Sequence, residues 1–350
     1  MHPFALIRPT QLTEAQELVR AEPETRAFRA GGIDLLDRMK EGLDAPELLV
    51  ELRGVAGLGP AIEVGEAHPL LPAAPEQGYW SSAPRYARVT AMTSLATIAS
   101  ATLAGGEALT IAASEAATPG IRNTATLAGN LLQRPRCWYF RNRELVCLKK
   151  GGDVCLALLG DNRYNAILGG GPSFIVHPSS LATALLALDA VVQVEDGSGE
   201  QGYSLRSIAD LFVGPKQDPT REHALGPGEV LAGVWIPMLD GMRSVYQAVR
   251  EKQSHDWPLA EAAARMRLDA DGAMREVRVA LGHVAPIPWN ASEAASLLEG
   301  ERPSAGLFEK AAEAALAMAK PLAGNAYKVP LSRGLLREVL HRAAGLDLPE

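Results

Sequence analysis

Cysteine is scarce: the 350-residue chain has three. A count that is both odd and this low excludes a disulfide framework. Positive charge is in short supply as well. The 34 lysines and arginines are outnumbered by 41 acidic residues, for a formal net charge of −7. The basic surplus that a phosphate backbone demands is missing, so no nucleic-acid partner is expected. Long apolar runs are lacking too: the most apolar stretch, residues 181–192, is broken by Asp189 and is shorter than the ~18 residues of a membrane span. The opening residues, Met1-His2-Pro3-Phe4-Ala5-Leu6-Ile7-Arg8, hold neither a basic start before an apolar core nor a twin arginine, so they do not read as a signal peptide. The expected location is cytoplasmic, with the periplasm open to a chain exported on a signal-bearing partner. Nor is there a Ser/His/Asp order, an H-E-x-x-H or a Walker loop, which leaves hydrolysis and phosphoryl transfer without residues to perform them. Redox carriage remains.

What is present reads as globular. Apolar residues make up 47% of the chain, and its length suits about two domains of ~150 residues. Thr13-Glu14-Ala15-Gln16 has the form of a capping box and predicts a short amphipathic helix to Val19. Residues 27–30 read as a strand running into Gly31-Gly32, 35–40 as a helix and 48–52 as the next strand, an alternation of mixed α and β structure. Residues 57–84, rich in Pro, Gly and Ala, read as loop. Then 86–89 reads as strand, 93–103 as a helix capped by Thr93, and Leu109-Thr110-Ile111-Ala112 as strand. Periodicity fails from 134 to 171, a stretch long enough to be functional or to be held by something other than core packing, such as a metal centre. Pro178-Ser179-Ser180 opens a helix over 181–188, and 190–194 follows as a strand. Gly226-Pro227-Gly228-Glu229 introduces an extended segment over 230–237. The final third reads as a separate α+β domain, with strands over 243–249 and 277–281 and Ala-rich helices over 259–266, 291–298, 307–318 and 335–343.

Three motifs carry chemistry. Ala30-Gly31-Gly32-Ile33-Asp34 stands where a strand gives way to a helix, and paired glycines let backbone N–H groups close around a diphosphate at the favourable end of the helix dipole. The same residues also suit an ordinary tight turn. Thr118-Pro119-Gly120-Ile121-Arg122-Asn123-Thr124-Ala125-Thr126-Leu127-Ala128-Gly129-Asn130 offers hydroxyls, carboxamides and small residues, which fit an oxygen-rich cofactor or a polar surface loop. Two such segments in one domain favour a nucleotide-type cofactor. Cys137, Cys147 and Cys155 are spaced C-x9-C-x7-C, neither a zinc-ribbon nor a ferredoxin pattern. Their clustering in one irregular stretch points to a metal; three unrelated buried thiols would be scattered over helices and strands. Lys149 and Lys150 suit either a cluster's negative charge or a solvated pair, and Trp138-Tyr139-Phe140 either a shield for a cluster or core packing.

Taken together, these residues resemble the flavin subunits of molybdenum hydroxylases, the group of xanthine dehydrogenases, aldehyde oxidoreductases, carbon monoxide dehydrogenases and 4-hydroxybenzoyl-CoA reductases. Residues 30–36 and 121–130 are similar to the family's two FAD-binding segments. His177-Pro178-Ser179-Ser180, Gly228-Glu229-Val230-Leu231 with Ile236-Pro237, and Val279-Ala280-Leu281-Gly282 with Ala285-Pro286 resemble its later landmarks. The resemblance implies an α+β chain: a vanillyl-alcohol-oxidase-type (PCMH-type) FAD-binding domain over 1–225, with subdomains of about 1–60 and 61–225, and a C-terminal domain over 226–350 like that of the carbon monoxide dehydrogenase flavoprotein. It implies FAD held by Arg29, Ala30, Gly31, Gly32, Ile33, Asp34 and Leu35 at the diphosphate. Thr118, Asn123, Thr126, Gly129 and Asn130 would hold the ribityl and phosphate region, with Ser180 at the ribityl chain and Leu231 against the flavin ring. Partners would be a large molybdenum-pterin subunit, a small [2Fe-2S] subunit and an external electron acceptor, in a complex most like the aldehyde oxidoreductases.

The insertion at 134–171 resembles the one that binds an additional [4Fe-4S] cluster in a branch of this family. The resemblance makes Cys137, Cys147 and Cys155 ligands and places Ser173 where a fourth cysteine stands in many relatives. A serine oxygen is a harder ligand than a thiolate, so Ser173 as ligand, an open site, a three-iron cluster and ligation by His177 all follow as options. Other departures are Ile33 for a common Thr, Ala128 for a usual Gly and Ser180 for an Asp, and no lysine follows Tyr246 where one is common. These departures frame the alternatives: a flavin subunit of the xanthine dehydrogenase or hydroxybenzoyl-CoA reductase type with a lost or modified cluster, a cofactor-free assembly or scaffold protein, and a zinc-stabilised binding module.

Overall fold

The computed structural model describes residues 1–66, 83, 85–197, 202–252 and 255–347. Its first unit is parallel. β1 (Ala5–Ile7), α1 (Leu12–Ala21), β2 (Arg26–Arg29), α2 (Ile33–Glu41) and β3 (Leu48–Glu51) follow one another, and β3 lies between β1 and β2. Helix α1 buries Ala15, Gln16 and Val19, the one-sided spacing of an amphipathic helix. Gly32 and Gly42 flank α2 with φ of 79° and 74°, a left-handed backbone that a side chain disfavours.

The second unit contains β4 (Ile62–Glu66), β5 (Arg85–Thr90), α3 (Leu95–Ala99), α4 (Glu107–Glu115), α5 (Pro119–Thr124), α6 (Leu127–Leu131), α7 (Trp138–Arg141), α8 (Ser180–Ala187), β6 (Val191–Glu195), β7 (Tyr203–Ser207) and β8 (Val230–Met238). Its strands form an antiparallel sheet in the order β4-β5-β8-β6-β7. The third unit consists of β9 (Arg243–Arg250), β10 (Pro258–Leu268), β11 (Met274–Gly282) and β12 (Trp289–Asn290), paired antiparallel in the order β12-β11-β10-β9, followed by α9 (Ser292–Leu298), α10 (Ala305–Leu316) and α11 (Lys328–Ala344). Helices α4 and α8 fill the space between the two antiparallel sheets. One core runs from Ala87 and Val89 through Leu109, Ala112, Leu181 and Leu185 to Tyr246, Ala263 and Ala280. On the far side of the last sheet, Ala260, Ala262, Ala264 and Met266 meet Phe308, Leu336 and Leu340. Among the described residues no helix is long and apolar enough to cross a membrane.

Several sequence expectations change. Residues 259–266 form the inner strand β10, not a helix: alanine favours a helix in isolation, but here alternate alanines face the two cores, and small side chains let both faces be covered. Leu109-Thr110-Ile111-Ala112 lies in helix α4 rather than a strand, because so short an apolar run carries no distinguishing period. The helix expected over 93–103 ends at Ala99 and is capped by Ser94 instead of Thr93. Within the expected loop over 57–84, β4 is a strand placed by its pairing with β5; residues 67–82 and 84 lie outside the described residues. Strand β8 is the middle strand of the second sheet, so the expected break at 225 and 226 falls before that strand.

The irregular stretch is held by a polar frame. Lys149 donates to the carbonyls of Pro219 and Arg221 at 3.0 and 2.8 Å and pairs with Glu222 at 2.9 Å. Asn325 donates to the carbonyls of Asn165 and Ala166, and Asn162 accepts from the Gly324 amide. Lys328, fully buried, donates to the carbonyls of Tyr164 and His283 at 2.9 and 2.8 Å. Burial brings the Lys328 ammonium down to about 7. An unfolded lysine titrates near 10.4, so between these values the unfolded chain binds the extra proton, and stability rises with pH and is lost as pH falls through 7. Chemical denaturation across pH 7 to 10 should show this rise in the wild type and a flatter profile in Lys328→Met; equal slopes would contradict the assignment.

Candidate cofactor site

A cavity of about 470 Å³ opens between the first unit and the other two, within the size range of small-molecule sites. One wall is the turn from β2 into α2. There Gly31 passes so close to the next segment that a β-carbon would collide with the carbonyl oxygen of Thr124. The opposite wall is built by two short capped helices: Thr118 Oγ1 accepts the Ile121 amide at 3.3 Å and Thr126 Oγ1 the Gly129 amide at 3.2 Å. Asn130 Oδ1 accepts from Ser179 Oγ at 2.6 Å, which fixes the carboxamide and leaves its NH₂ as a donor. Leu52, Leu95 and Leu231 form an apolar floor, and half-exposed Trp257 stands at the edge. Glycine backbone, hydroxyls and an apolar floor in one cavity suit a cofactor with an oxygen-rich chain and a flat ring.

Of the residues assigned to the cofactor in the sequence, Ala30, Gly31, Gly32, Ile33, Asp34, Leu35, Thr118, Thr126, Gly129, Asn130, Ser180 and Leu231 all line this cavity. Two do not. The Arg29 guanidinium turns away to pair with Glu51, and Asn123 is exposed on α5. The sequence reading missed Arg136, Arg250 and Trp257, which also line it and come from segments whose spacing carried no signal.

Asp34 lines the cavity, but its oxygens are occupied by arginines. It accepts from Arg141 at 2.6 Å and the Arg134 amide at 3.0 Å, and pairs with Arg136 at 3.0 Å and Arg38 at 3.2 Å. Burial raises its pKa, yet Arg38, Arg136, the Arg134 amide and Arg141 together outweigh it and hold the carboxyl below its ordinary value. Arg136 also pairs with Asp37 and stacks over Trp257 at 5.1 Å. The start of the insertion is thereby tied to the first turn of α2. Asp34→Asn should cost about 3 kcal/mol and expose 134–141 to proteolysis, read by denaturation and limited digestion; unchanged stability would remove Asp34 from this role.

Cys137, Cys147 and Cys155 are free thiols. Cys137 precedes α7, where burial pushes its thiol up while the Phe140 and Tyr139 amides and Asn165 pull it back; Cys155 is near enough to add a further upward push. Ser173 is buried. Among the described residues, no group of three or more His, Cys, Asp or Glu is gathered to hold a metal ion. His177 is buried against Phe212, with ring centroids 4.6 Å apart, and its Nδ1 accepts the Ser179 amide. Burial first, then His283, His223 and Lys149, bring it down to about 3, so its imidazole is neutral.

The fold is shared with solved oxidoreductases. The carbon monoxide dehydrogenase from Hydrogenophaga pseudoflava superposes with a TM-score of 0.71 at 22% identity, covering 98% of each chain. Quinoline 2-oxidoreductase from Pseudomonas putida gives 0.68 at 20%, covering 99% of this chain and 98% of that one. Fold and cavity thus define a chain of mixed α and β structure with a cavity suited to a nucleotide-type cofactor. Residues 73–239 match the FAD binding domain in molybdopterin dehydrogenase, and 244–343 the CO dehydrogenase flavoprotein C-terminal domain. The aldehyde oxidoreductase FAD-binding subunit PaoB of Escherichia coli is 36% identical over 321 residues, 90% of this chain and 91% of that one. The glyceraldehyde dehydrogenase medium chain of Sulfolobus acidocaldarius is 27% identical over 140 residues, 40% of this chain and 46% of that one. The chain belongs to the FAD-binding medium subunits of the molybdenum hydroxylases.

Gly31→Ala should lower FAD affinity tenfold or more, about 1.4 kcal/mol, because the two walls must part; fluorescence titration checks this, and unchanged affinity would contradict it.

Proposed function

We propose that this chain is the FAD-carrying electron-transfer subunit of a three-subunit aldehyde-oxidising enzyme. It receives electrons from a large molybdenum-pterin subunit and a small [2Fe-2S] subunit and delivers them to an external acceptor. The observation that carries this reading is the 36% identity to an aldehyde oxidoreductase FAD-binding subunit along 90% of the chain, together with a cavity whose glycine wall admits no side chain at Gly31. FAD supplies the exchange between paired and single electrons; the chain supplies its orientation. We assign the backbone of residues 29–35 to the diphosphate, beside the first turn of α2 where a helix end favours an anion. The hydroxyls of Thr118 and Thr126, with Gly129, Asn130 and Ser180, take the ribityl and phosphate region, and Leu231 packs on the ring. For Arg29 this means main chain alone, since its side chain is engaged by Glu51; Asn123 is exposed on α5 outside the cavity and is given no contact to the cofactor. We place the complex in the cytoplasm, with export on a partner as the alternative that cell fractionation tests.

A [4Fe-4S] cluster on Cys137, Cys147 and Cys155, with Ser173 or another group as fourth ligand, is a further part of this reading. In its favour are the resemblance of 134–171 to a cluster-binding insertion, the peptide amides facing Cys137 and the proximity of Cys155; against it, the thiols are not gathered as a ligand set. If it holds, the full chain reconstituted anaerobically should carry about four irons with matching sulfide, and Cys147→Ala should lose the iron and keep the flavin. Zinc in their place supports the binding-module alternative, and neither metal leaves a flavin subunit without a cluster. Purified from its host, the chain should bring a molybdenum-pterin chain and a [2Fe-2S] chain with it and take up electrons when an aldehyde is added. Isolation alone, without flavin, would favour the scaffold alternative.

A further inference from the structure

Behind the cavity wall, where α8 packs on the third unit's sheet, lies a buried polar cluster. Glu261 of β10 is wholly inaccessible. Tyr246 donates to its Oε1 at 2.7 Å, Thr183 donates to Oε2 at 3.0 Å, and Ser180 Oγ makes a short bond to Oε1. Among the described residues the basic group paired with it is His283, 3.6 Å away. Burial lowers the His283 pKa and raises that of Tyr246, so at neutral pH the first is uncharged and the second keeps its proton to donate. The packing here is tight: a β-carbon at Gly282 would collide with both Thr183 Oγ1 and Glu261 Oε2.

Three hydroxyls, each with one hydrogen to give, converging on two oxygens is the arrangement of an acceptor-only carboxylate. Ser180 is the member of this cluster that also lines the cavity. Its single hydrogen is given inside the cluster, where Glu261 Oε1 makes the short bond and the Tyr246 hydroxyl also stands within reach, so toward the cavity it offers lone pairs alone. We infer that Glu261 is a positioning residue: from across the seam between units it turns the Ser180 hydroxyl so that Ser180 accepts a hydrogen bond from a hydroxyl of the cofactor's polyol chain. The inference rests on the FAD reading above and adds how Ser180 meets the cofactor. A glutamine at 261 can donate to Ser180, which frees the serine hydrogen to point at the cofactor hydroxyl and spoils the match.

The test is a double-mutant cycle on the full chain, with FAD affinity read by fluorescence titration and folding by thermal melting. Glu261→Gln should weaken FAD about tenfold in the wild-type background and less than twofold in Ser180→Ala. An equal loss in both backgrounds would show that Glu261 acts through the fold rather than through Ser180, and no loss in either would remove the role altogether; both overturn the inference. If Glu261→Gln does not fold, Glu261→Asp, which withdraws the carboxylate from Ser180, carries the same two expectations. Failure of the wild-type chain to bind FAD would instead overturn the FAD reading itself.

Discussion

The structure depends on one close approach, in which the backbone at Gly31 lies against the carbonyl of Thr124 with no room for a side chain between them. This contact joins the parallel first unit to the antiparallel second one, and the cavity is the space the two leave on either side of it. A hydrogen-only residue is required for a steric reason at Gly31 and for a backbone reason at Gly32, where φ is positive. Each wall is then stiffened locally. Gly32 and the first turn of α2 hold one side, while Thr118 and Thr126 cap the short helices of the other.

Charge finishes what the glycines start. Asp34, in the first turn of α2, gathers Arg38, Arg136, Arg141 and the Arg134 amide. In this way the wall of the cofactor cavity and the start of the irregular insertion become one piece. Farther along, Lys149, Asn162, Asn325 and Lys328 tie the same insertion to the rest of the molecule. A stretch of nearly forty residues with little regular structure is thus held by hydrogen bonds in both directions: Asn325 and Lys328 satisfy its carbonyls, and its own Lys149 and Asn162 satisfy backbone groups outside it, as buried peptide groups require.

Much of this was legible in the sequence, and the limits have physical causes. Gly-Gly at a strand-to-helix turn and the hydroxyl- and carboxamide-rich segment 118–130 stood out because turn chemistry and side-chain polarity are local, whereas the caps on Thr118 and Thr126 emerge only in the structure. Asp34 was read as part of the cofactor segment; Arg38 is its neighbour on the helix, but Arg134, Arg136 and Arg141 stand about a hundred residues away and nothing local predicts them. Strand β10 was misread because alanine reports helix propensity, while its conformation is set by the strands on both sides. Trp257 and Arg136 reach the cavity only after folding brings the loop before β10 to the insertion. Glu261 could not be seen as a partner of Ser180 until α8 lay on the third unit's sheet.

The central claim, that this chain binds FAD in the cavity formed by the Gly31 contact, is tested most directly by the flavin content of the purified full-length protein. Absorbance spectra with chromatographic identification of the released flavin should give about one FAD per chain, directly or after reconstitution. A well-folded protein that shows no flavin bands and takes up no FAD on reconstitution would contradict it.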